Sequence, residues 1–484
     1  MKQRRAEADA AGLPVFVVDA GDTGWRSRRV SSGRKDQQVE KLRLQLAAME
    51  LGGIDAWTPG EGDLALGADA VFAAAEAAHT PVVATNLDCP GHGAPRWRVA
   101  EHGGVRLGFV SALDPALVEG GVGGCTASDP DDALASALAE LPDDLDAVVL
   151  LSQMDLAGDY ALAEQHPRLD FVVNGHVGKR LTTPNQLPHA TVHLSSGNRG
   201  KALGVATVHF VEGADGCGVG AGGTADLERK IERYRDRLAK AEALLAAEGA
   251  DAPDERTRER ALRQKAFYAG ELGVLEQRLA LMQEVAAEPR HRVDNELVDL
   301  DADIADDEAT ARLVADTLAR IEQSRGERPA SPATAVAERP LDYVGSAACA
   351  ACHRAEHAQW QATPHAAAWT SLEQRQRTQD LSCWSCHVTG GERPGGPQSP
   401  AEVTEALQGV GCESCHGPGR RHIAQAVQAA STGEPPGVGE AADAVTGSIV
   451  RDPPEQTCRR CHDGEQDEGR FDWASYRAKV VHGG

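Results

Sequence analysis

Aromatic residues make up only 4% of this 484-residue chain, and basic residues are in deficit against acidic ones, 49 to 73, for a formal net charge of −24. A chain this acidic is disfavoured as a partner of nucleic acids or anionic membrane surfaces. No apolar run approaches the roughly 20 residues that a membrane-spanning helix needs. We therefore expect no nucleic-acid partner and no transmembrane segment, in a chain long enough for two or three domains.

Sustained hydrophobic periodicity is missing from residues 341–484, which are rich in glycine and proline and contain most of the cysteines. Such a segment cannot build a large aliphatic core, so another apolar body must fill its interior. Three cysteines lie outside it, isolated from one another: Cys89, Cys125 and Cys217. We expect them to be buried or loop thiols.

Two further segments have patterns of their own. Residues 1–212 alternate β-rich runs with helical stretches, which predicts an α/β domain. In residues 224–328, apolar residues at three- and four-residue spacing predict an antiparallel coiled-coil hairpin, a spacer or self-association arm. Residues 213–223 and 329–340 are the predicted linkers. The strands expected in the first domain are 15–18, 81–84, 105–110, 147–151, 171–173, 191–194 and 203–210.

The third domain, residues 341–484, contains the motif Cys-x-x-Cys-His four times. In this spacing two thiols reach the two vinyl groups at one porphyrin edge, and the adjacent imidazole lies under the iron. Zinc held by paired Cys-x-x-Cys units is the alternative, but zinc needs no histidine directly after each pair. We predict four covalently bound haem c groups, which also fill the interior. The motif residues are Cys349, Cys352, His353, Cys383, Cys386, His387, Cys412, Cys415, His416, Cys458, Cys461 and His462.

The second axial ligand of each iron is restricted by the absence of methionine after Met282. Ligation by histidine and methionine is thereby excluded within this domain, which leaves two histidines or an open position. His365, His422 and His482 are the expected distal ligands. His357 is a poorer candidate, because it follows a motif histidine by four residues and so lies on the same helix face. One haem is therefore free to lack a sixth ligand.

The third domain resembles the cytochrome c-554-type tetrahaem family. The resemblance rests on residues 343–353, on Trp360 with 364–366, and on 411–419 with His422. Members of that family pass electrons between redox enzymes, pack their haems closely, use two histidines at most haems and can leave one haem five-coordinate. The resemblance implies electron transfer with redox partner proteins, without indicating which ones.

Residues 10–210 resemble the 5′-nucleotidase branch of the calcineurin-like metallophosphatases. The resemblance implies a metallophosphatase-like α/β sandwich in which Asp22 bridges two metal ions at the carboxyl end of a strand. It rests on the runs 17–23, 53–56, 60–63, 81–86, 148–153, 170–178 and 200–204.

The metal-binding positions of that family are largely replaced. The first family motif, Asp-x-His, is absent. Asp22, Glu61 and His176 are the residues that remain to bind a divalent metal. A two-metal centre needs about six or more protein ligands. We therefore predict a degenerate site in a domain that binds a partner or positions the cytochrome. The replacements are Glu61 for an asparagine ligand, Gly62 for the catalytic histidine, Gln153 for a strand-end histidine and Gly178 for a histidine of the last motif.

Attachment of haem to this motif takes place outside the cytoplasm, yet no signal segment follows Met1. We expect sequence upstream of Met1 to supply a signal segment together with the missing strand and Asp-x-His motif. The overall prediction is a periplasmic or otherwise exported electron-transfer protein. Two alternatives stay open: an active metallophosphoesterase with a redox appendage, and a haem oxidoreductase acting on a small nitrogen or sulfur compound.

Overall fold

The computed structural model describes residues 1–25, 27–247, 254–301, 303–327, 341–398, 400–432, 449–463 and 470–482, so the linker predicted at 329–340 lies outside the described residues. The chain divides into two compact units. Unit 1 comprises residues 1–30 and 41–311, and unit 2 comprises residues 31–40 and 312–484. The domain limits inferred from the sequence stay predictions.

The strands found in the described residues all lie in unit 1. They are β1 (Val18–Asp19), β2 (Ala56–Trp57), β3 (Leu87–Asp88), β4 (Trp97–His102), β5 (Val105–Leu113), β6 (Thr126–Ala127), β7 (Ala147–Gln153), β8 (Phe171–Asn174), β9 (Asn185–Leu187), β10 (Thr191–Leu194), β11 (Ala202–His209), β12 (Cys217–Val219) and β13 (His291–Asp299). Six of them form the main sheet, in the order β4-β5-β7-β8-β10-β9. Its four inner strands run parallel, and the two edge strands pair antiparallel.

The helices of the first two thirds of the chain are α1 (Lys2–Ala10), α2 (Ser32–Gly52), α3 (Glu61–Leu64), α4 (Ala68–Ala77), α5 (Pro130–Glu140), α6 (Leu156–Gln165), α7 (Ala221–Ala246), α8 (Glu255–Val285) and α9 (Glu308–Glu327). Alternate side chains of the main sheet enter two different apolar clusters, as expected for a period of two residues. Leu150 packs with Leu134 of α5 and Leu162 of α6, whereas its neighbour Leu151 packs in the cluster that contains Val293 of β13. Unit 1 is thus a layered α/β structure.

Several parts of unit 1 differ from the sequence-based expectations. Of the strand predicted at 15–18, only Val18 lies in a strand, β1. The strand predicted at 81–84 is reduced to a single bridge between Val82 and Trp57. The predicted linker at 213–223 contains β12, and β13 lies after α8, where the helical hairpin was expected to continue. These two strands and β11 form a second sheet in the order β11-β13-β12. Strand β11 was expected from the sequence, whereas β12 and β13 have no strong local signal and form by backbone pairing between distant segments.

Helices α7 and α8 form an antiparallel pair. Its apolar seam contains Leu227 and Ile231 of α7 with Leu272, Leu275 and Met282 of α8. Two ion pairs join the helices, Arg235 with Glu276 and Glu242 with Lys265. The residue numbers rise along α7 as they fall along α8, which shows that the helices are antiparallel. The structure therefore contains the two helices expected here, while coiled-coil character and self-association stay predictions.

Cys89 and Cys125 form a disulfide bond within unit 1. The expectation that both are thiols is therefore wrong. The two residues are 36 positions apart, and no local pattern indicates that β3 and the segment before β6 lie side by side. Cys217 is a buried thiol, as expected.

Apart from most of α9 and the first part of α2, unit 2 consists of short helices and loops. The helices are α10 (Ser346–Cys349), α11 (Arg354–Gln361), α12 (Ala368–Gln374), α13 (Trp384–His387), α14 (Cys412–His416), α15 (Arg420–Thr432), α16 (Glu455–Arg459) and α17 (Trp473–Val480). Its main apolar cluster has three buried members, Leu381, Trp384 and Val388. Within the same unit Arg34 pairs with Glu392, and Gln37 donates to the Gln379 carbonyl at 2.8 Å.

No helix in the described part of the chain is both long enough and apolar enough to cross a membrane.

Candidate functional site

Each Cys-x-x-Cys-His motif lies on or beside a short helix of unit 2. A helical turn brings residues three apart onto one face, so both thiols of a motif point the same way. The helices concerned are α10, α13, α14 and α16. Local structure thus arranges each motif for attachment along a single edge of a planar group.

Three motif histidines face the three histidines that the sequence indicates as distal ligands. The ring centres are 6.4 Å apart for His353 and His422, 6.3 Å for His462 and His365, and 5.6 Å for His416 and His482. Metal–imidazole bonds are about 2 Å long, so an ion bound to both rings separates their centres by roughly 6 Å. The spacing of all three pairs therefore fits an axially ligated metal between the rings.

Hydrogen bonds orient two of the motif imidazoles. Nδ1 of His416 lies 2.7 Å from the Val450 carbonyl oxygen, and Nδ1 of His387 lies 2.8 Å from that of Ala368. A proton on Nδ1 leaves Nε2 with the lone pair that a metal needs. Burial lowers the pKa of His365, and the nearby charge of His462 adds to the effect, so this ring is held in the neutral, metal-binding form.

The second motif differs from the other three. Among the described residues, no ring contact joins His387 to a second imidazole, and its recorded partners are the Ala368 carbonyl and the Ser371 hydroxyl. His357, the poorer distal candidate, lies with its ring 5.2 Å from that of Trp360. The structure thus brings three of the four candidate distal histidines to motif histidines and does not bring His357 to one.

The motifs also lie close to one another in pairs. The Cys349 thiol is a neighbour of the Cys412 thiol, and the Cys386 thiol is a neighbour of the Cys461 thiol. The first motif is therefore next to the third, and the second is next to the fourth. Groups attached at neighbouring motifs would lie close together.

A separate cluster in unit 1 contains Asp22, Glu61 and His176. They come from the segments that follow β1, β2 and β8, and one ligand atom of each lies within 4.8 Å of the others. The carboxyl ends of parallel strands are where α/β sheets usually bind ligands. Of the described residues, this is the one group of three or more such side chains close enough to hold a metal ion.

Backbone geometry positions this cluster. Asp22 has a φ of 54°, a left-handed conformation that is uncommon for residues other than glycine. Its Oδ1 accepts a hydrogen bond of 2.8 Å from the Gly62 amide. A Cβ atom at Gly60 would lie only 2.2 Å from the same oxygen, so the turn after β2 needs glycine to approach Asp22. The Asn174 side chain accepts from the His176 amide at 3.0 Å and so orients the histidine-bearing turn.

The cluster has an excess of negative charge. Burial, and then the charges of Asp63 and Glu61, raise the pKa of Asp22 to about 8. Burial also raises the pKa of Asp63 to about 7, against three backbone hydrogen bonds that favour its charged form. The pKa of His176 is raised, chiefly by its contact with Glu61, whose Oε1 lies 3.4 Å from Nδ1. Protons or a cation must therefore balance these carboxylates.

Within the described residues, two buried oxygens at the cluster have no hydrogen-bond partner: Oε2 of Glu61 and Oε1 of Gln153. Gln153 is held by its other side-chain atom, since Nε2 donates to the Ala20 carbonyl. Two carboxylates and one imidazole with spare oxygens suit a single divalent cation. They do not fit a two-metal centre, which needs about twice as many protein ligands.

Comparison with known proteins identifies the region of the first three motifs. A family model described as "Cytochrome c554 and c-prime" matches residues 348–417. Cytochrome c-554 of Nitrosomonas europaea is 41% identical over 95 residues, which are 16% of this chain and 39% of that protein. The C-terminal region carries a cytochrome c554 domain.

This cytochrome domain implies covalently bound haem c. The first three motifs, from Cys349 to His416, fall within the matched residues, whereas the fourth, Cys458 to His462, lies beyond them. The predicted number of four haems therefore rests on motif spacing and on the imidazole pairs.

The N-terminal region matches calcineurin-like metallophosphoesterases and has a mixed α/β metallophosphatase-like fold. An uncharacterised metallophosphoesterase of Bacillus subtilis is 26% identical over 183 residues, 36% of this chain and 38% of that protein. The sulfate thiohydrolase of Thermus thermophilus shares 22% identity over 49% of this chain and 46% of that chain, with a TM-score of 0.36. The chain spans under two fifths of the length of the two curated relatives. Both resemblances inferred from the motifs are confirmed.

Sequence reasoning missed Asp63 and Asn174, which support the cluster without belonging to it. Asp63 is fully buried, and its carboxylate accepts from the amides of Gly24 and Thr23 at 2.7 and 3.2 Å. The only local signal that Asp63 supports the cluster is that an acidic residue directly follows Gly62. Asn174 ends a buried strand, a position at which a polar residue is itself informative.

Proposed function

We propose that the protein is an exported electron-transfer protein with four haem c groups and a phosphatase-like domain that hydrolyses no phosphate ester. The three facing imidazole pairs carry this proposal, because they combine the predicted motif histidines with the predicted distal ones. Bound haem would supply a one-electron iron couple. The close approach of the first motif to the third, and of the second to the fourth, supports transfer between neighbouring groups.

The residues of the chain have separate roles in this proposal. The eight motif cysteines attach the haems, and the motif histidines bind the irons from one side. His422, His365 and His482 close the opposite side at three sites. Two axial histidines leave no position for a substrate, so these three sites suit electron transfer.

Export is supported by the disulfide between Cys89 and Cys125. Disulfides form and persist in oxidising compartments such as the periplasm and are rare in the cytosol of mesophiles. The Cys-x-x-Cys-His chemistry requires the same kind of compartment. Both units thus favour one location.

The test is to express the full chain behind a signal peptide together with a haem-maturation system. We expect four haems per chain that stay attached after denaturation, since thioether bonds survive unfolding. His422→Ala, His365→Ala and His482→Ala should each convert one low-spin haem to high-spin, because each removes an axial ligand. His357→Ala is the matched control and should leave the spectrum unchanged. Bound zinc without a Soret band would refute the proposal.

A second candidate function, oxidation or reduction of a small nitrogen or sulfur compound, is favoured by the surroundings of His387. Its recorded partners are a carbonyl and a hydroxyl, not a second imidazole. Carbon monoxide added to the reduced protein should then bind at one haem per chain, the haem of His387. It should not bind at the haem whose distal ligand is His422. Absence of any carbon monoxide binding would remove this candidate.

The absence of hydrolysis follows from the residues at the Asp22 cluster. Gly62 has no side chain to protonate a leaving group, and Gln153 offers a neutral amide where an imidazole would bind a transition metal. We expect negligible turnover of nucleotides or aryl phosphates with added manganese or zinc. A rate above about 1 per second, the low end of common enzyme rates, that disappears in Asp22→Asn would instead establish an active phosphoesterase.

A further inference from the structure

A basic cavity of about 350 Å³ lies in unit 1 between the loop at 179–183 and helices α7 and α8. The loop begins three residues after His176. It contributes Lys179 and Arg180, while the helices contribute Lys230, Arg233 and Arg278. A cavity lined by this many cations is unusual in a chain whose formal net charge is −24.

Only part of this charge is balanced within the protein. Arg229, at the edge of the cavity, pairs with Asp226, and Arg180 pairs with Asp299. Within the described part of the chain, no ion pair involves the remaining four cations that line the cavity, Lys179, Lys230, Arg233 and Arg278. The cavity therefore has a surplus of positive charge that an external anion can balance.

Arg278 is the most enclosed of these cations, and burial lowers its pKa to about 10. Its Nη2 donates to the Thr183 and Pro184 carbonyls at 2.7 and 2.6 Å, which fixes the guanidinium against the loop. Among the described residues, its Nε has no hydrogen-bond acceptor. The guanidinium therefore keeps donor capacity beyond its two carbonyl bonds.

Lys230 shows the same surplus. Its pKa is lowered, first by burial and then by the charge of Lys179, while Arg278 and Arg233 add to the effect against the opposite influence of Glu271. Cations that repel one another in a partly enclosed space are stabilised by an anion placed between them. Guanidinium forks match phosphate oxygens in pairs, and a lysine adds a point charge.

We propose that this cavity binds a small phosphoanhydride, either free pyrophosphate or the diphosphate of a nucleotide. Four unbalanced cations suit a ligand with several negative charges better than a singly charged one. The volume is within the range of about 300–1,000 Å³ for small-molecule sites. The site is distinct from the Asp22 cluster, whose charge has the opposite sign.

The test is calorimetric titration of the full-length haem-loaded protein in EDTA with pyrophosphate, ADP, inorganic phosphate and adenosine. Pyrophosphate and ADP should bind, and adenosine should not. Lys230→Gln combined with Arg233→Gln should weaken binding at least about 10-fold, since it removes two charge-assisted contacts. The matched control is Arg235→Gln combined with Lys240→Gln on the same helix, where each side chain pairs with a carboxylate.

The outcomes separate the possible sources of the ligand. Tighter binding of ADP than of pyrophosphate assigns the site to nucleotides, and equal affinity assigns it to the phosphoanhydride alone. The Lys179→Gln variant removes one cavity cation from an exposed loop position and leaves α7 and α8 unchanged. It therefore tests the same loss of binding without altering the helix pair. Equal weakening in the control variant, or no binding of either ligand at millimolar concentration, would overturn the proposal.

Discussion

The two units obtain their interiors from different sources. In unit 1, Leu150, Leu151 and Phe109 are fully buried within the sheet layers, and the described side chains form four apolar clusters. In unit 2 the main apolar cluster has three buried members, and paired imidazoles and motif thiols lie between its short helices. Unit 1 can therefore fold from its own side chains, whereas unit 2 depends on the groups that its cysteines attach.

The largest effect expected from this difference follows removal of one attachment site. Cys412→Ala combined with Cys415→Ala should abolish the native fold of unit 2, because binding of a structural cofactor contributes directly to folding free energy. Unit 1 should keep its own cooperative unfolding transition. Limited proteolysis with mass spectrometry measures both outcomes in one sample.

The matched control lies inside the same motif. Ser414→Ala changes a residue between the two cysteines and should leave four haems attached and unit 2 protease-resistant. If the double cysteine variant also kept unit 2 intact, the haem would not be the source of its interior.

The second largest effect concerns unit 1 alone. Replacing Cys89 and Cys125 with alanine removes a crosslink between residues 36 positions apart, which should lower the free energy of unfolding of unit 1 by about 2–4 kcal/mol. Urea unfolding followed by the far-ultraviolet signal measures the change. Haem content and the visible spectrum should not change, and a loss of haem in this variant would show that the two units do not fold independently.

A smaller effect depends on pH. Burial, with a contribution from the charge of Asp215, raises the pKa of Asp170 to about 6. The folded state then holds this proton more tightly than the unfolded state, so the stability contribution is complete below about pH 4 and is lost as the pH rises through about 6. Asp170→Asn should remove this slope and stabilise unit 1 by about 1–3 kcal/mol at pH 7.

Asp215→Asn is the partner experiment. It removes the neighbouring charge and should move the loss of stability of unit 1 to lower pH without abolishing it. Both differences are measured by urea unfolding between pH 4 and pH 7. The idea fails if the Asp170→Asn variant shows the same pH dependence as the unmodified protein.

The smallest effect concerns the ion pair between Arg34 and Glu392, whose side chains are 18% and 22% exposed. Residues 31–40 belong to unit 2, so Arg34→Ala should lower the stability of unit 2 by about 1 kcal/mol. Arg4→Ala breaks a more exposed arginine–glutamate pair in unit 1, with Glu296, and should leave unit 2 unchanged. Thermal unfolding followed at the haem absorption compares the two variants, and equal effects would contradict the assignment of residues 31–40.

Local pattern was enough to predict much of unit 1. The buried strand β7 was predicted because its apolar run suits a strand covered on both faces. Strand β13 was not predicted, since His291–Asp299 contains charged residues at many positions. It is a strand because β11 and β12 pair with it on either side, which is a tertiary effect.

The candidate sites also combine features that local sequence predicts with features that depend on tertiary packing. The spacing of Cys349, Cys352 and His353 indicates haem attachment without any structure, because the chemistry acts within one helical turn. Which histidine faces His353, by contrast, depends on how α11 and α15 pack. The same holds for Asp22 and His176, which are brought together by the ends of two strands.

The residues alone reveal the local chemistry of this protein: four Cys-x-x-Cys-His motifs and no methionine within residues 341–484. Three features depend on the packing of distant segments: the facing histidine pairs, the bond between Cys89 and Cys125, and the cavity lined by Lys179, Lys230 and Arg278. The physical reason is distance along the chain. Motif chemistry acts between residues a few positions apart, whereas pairs and cavities join distant segments that meet only when the strands and helices pack.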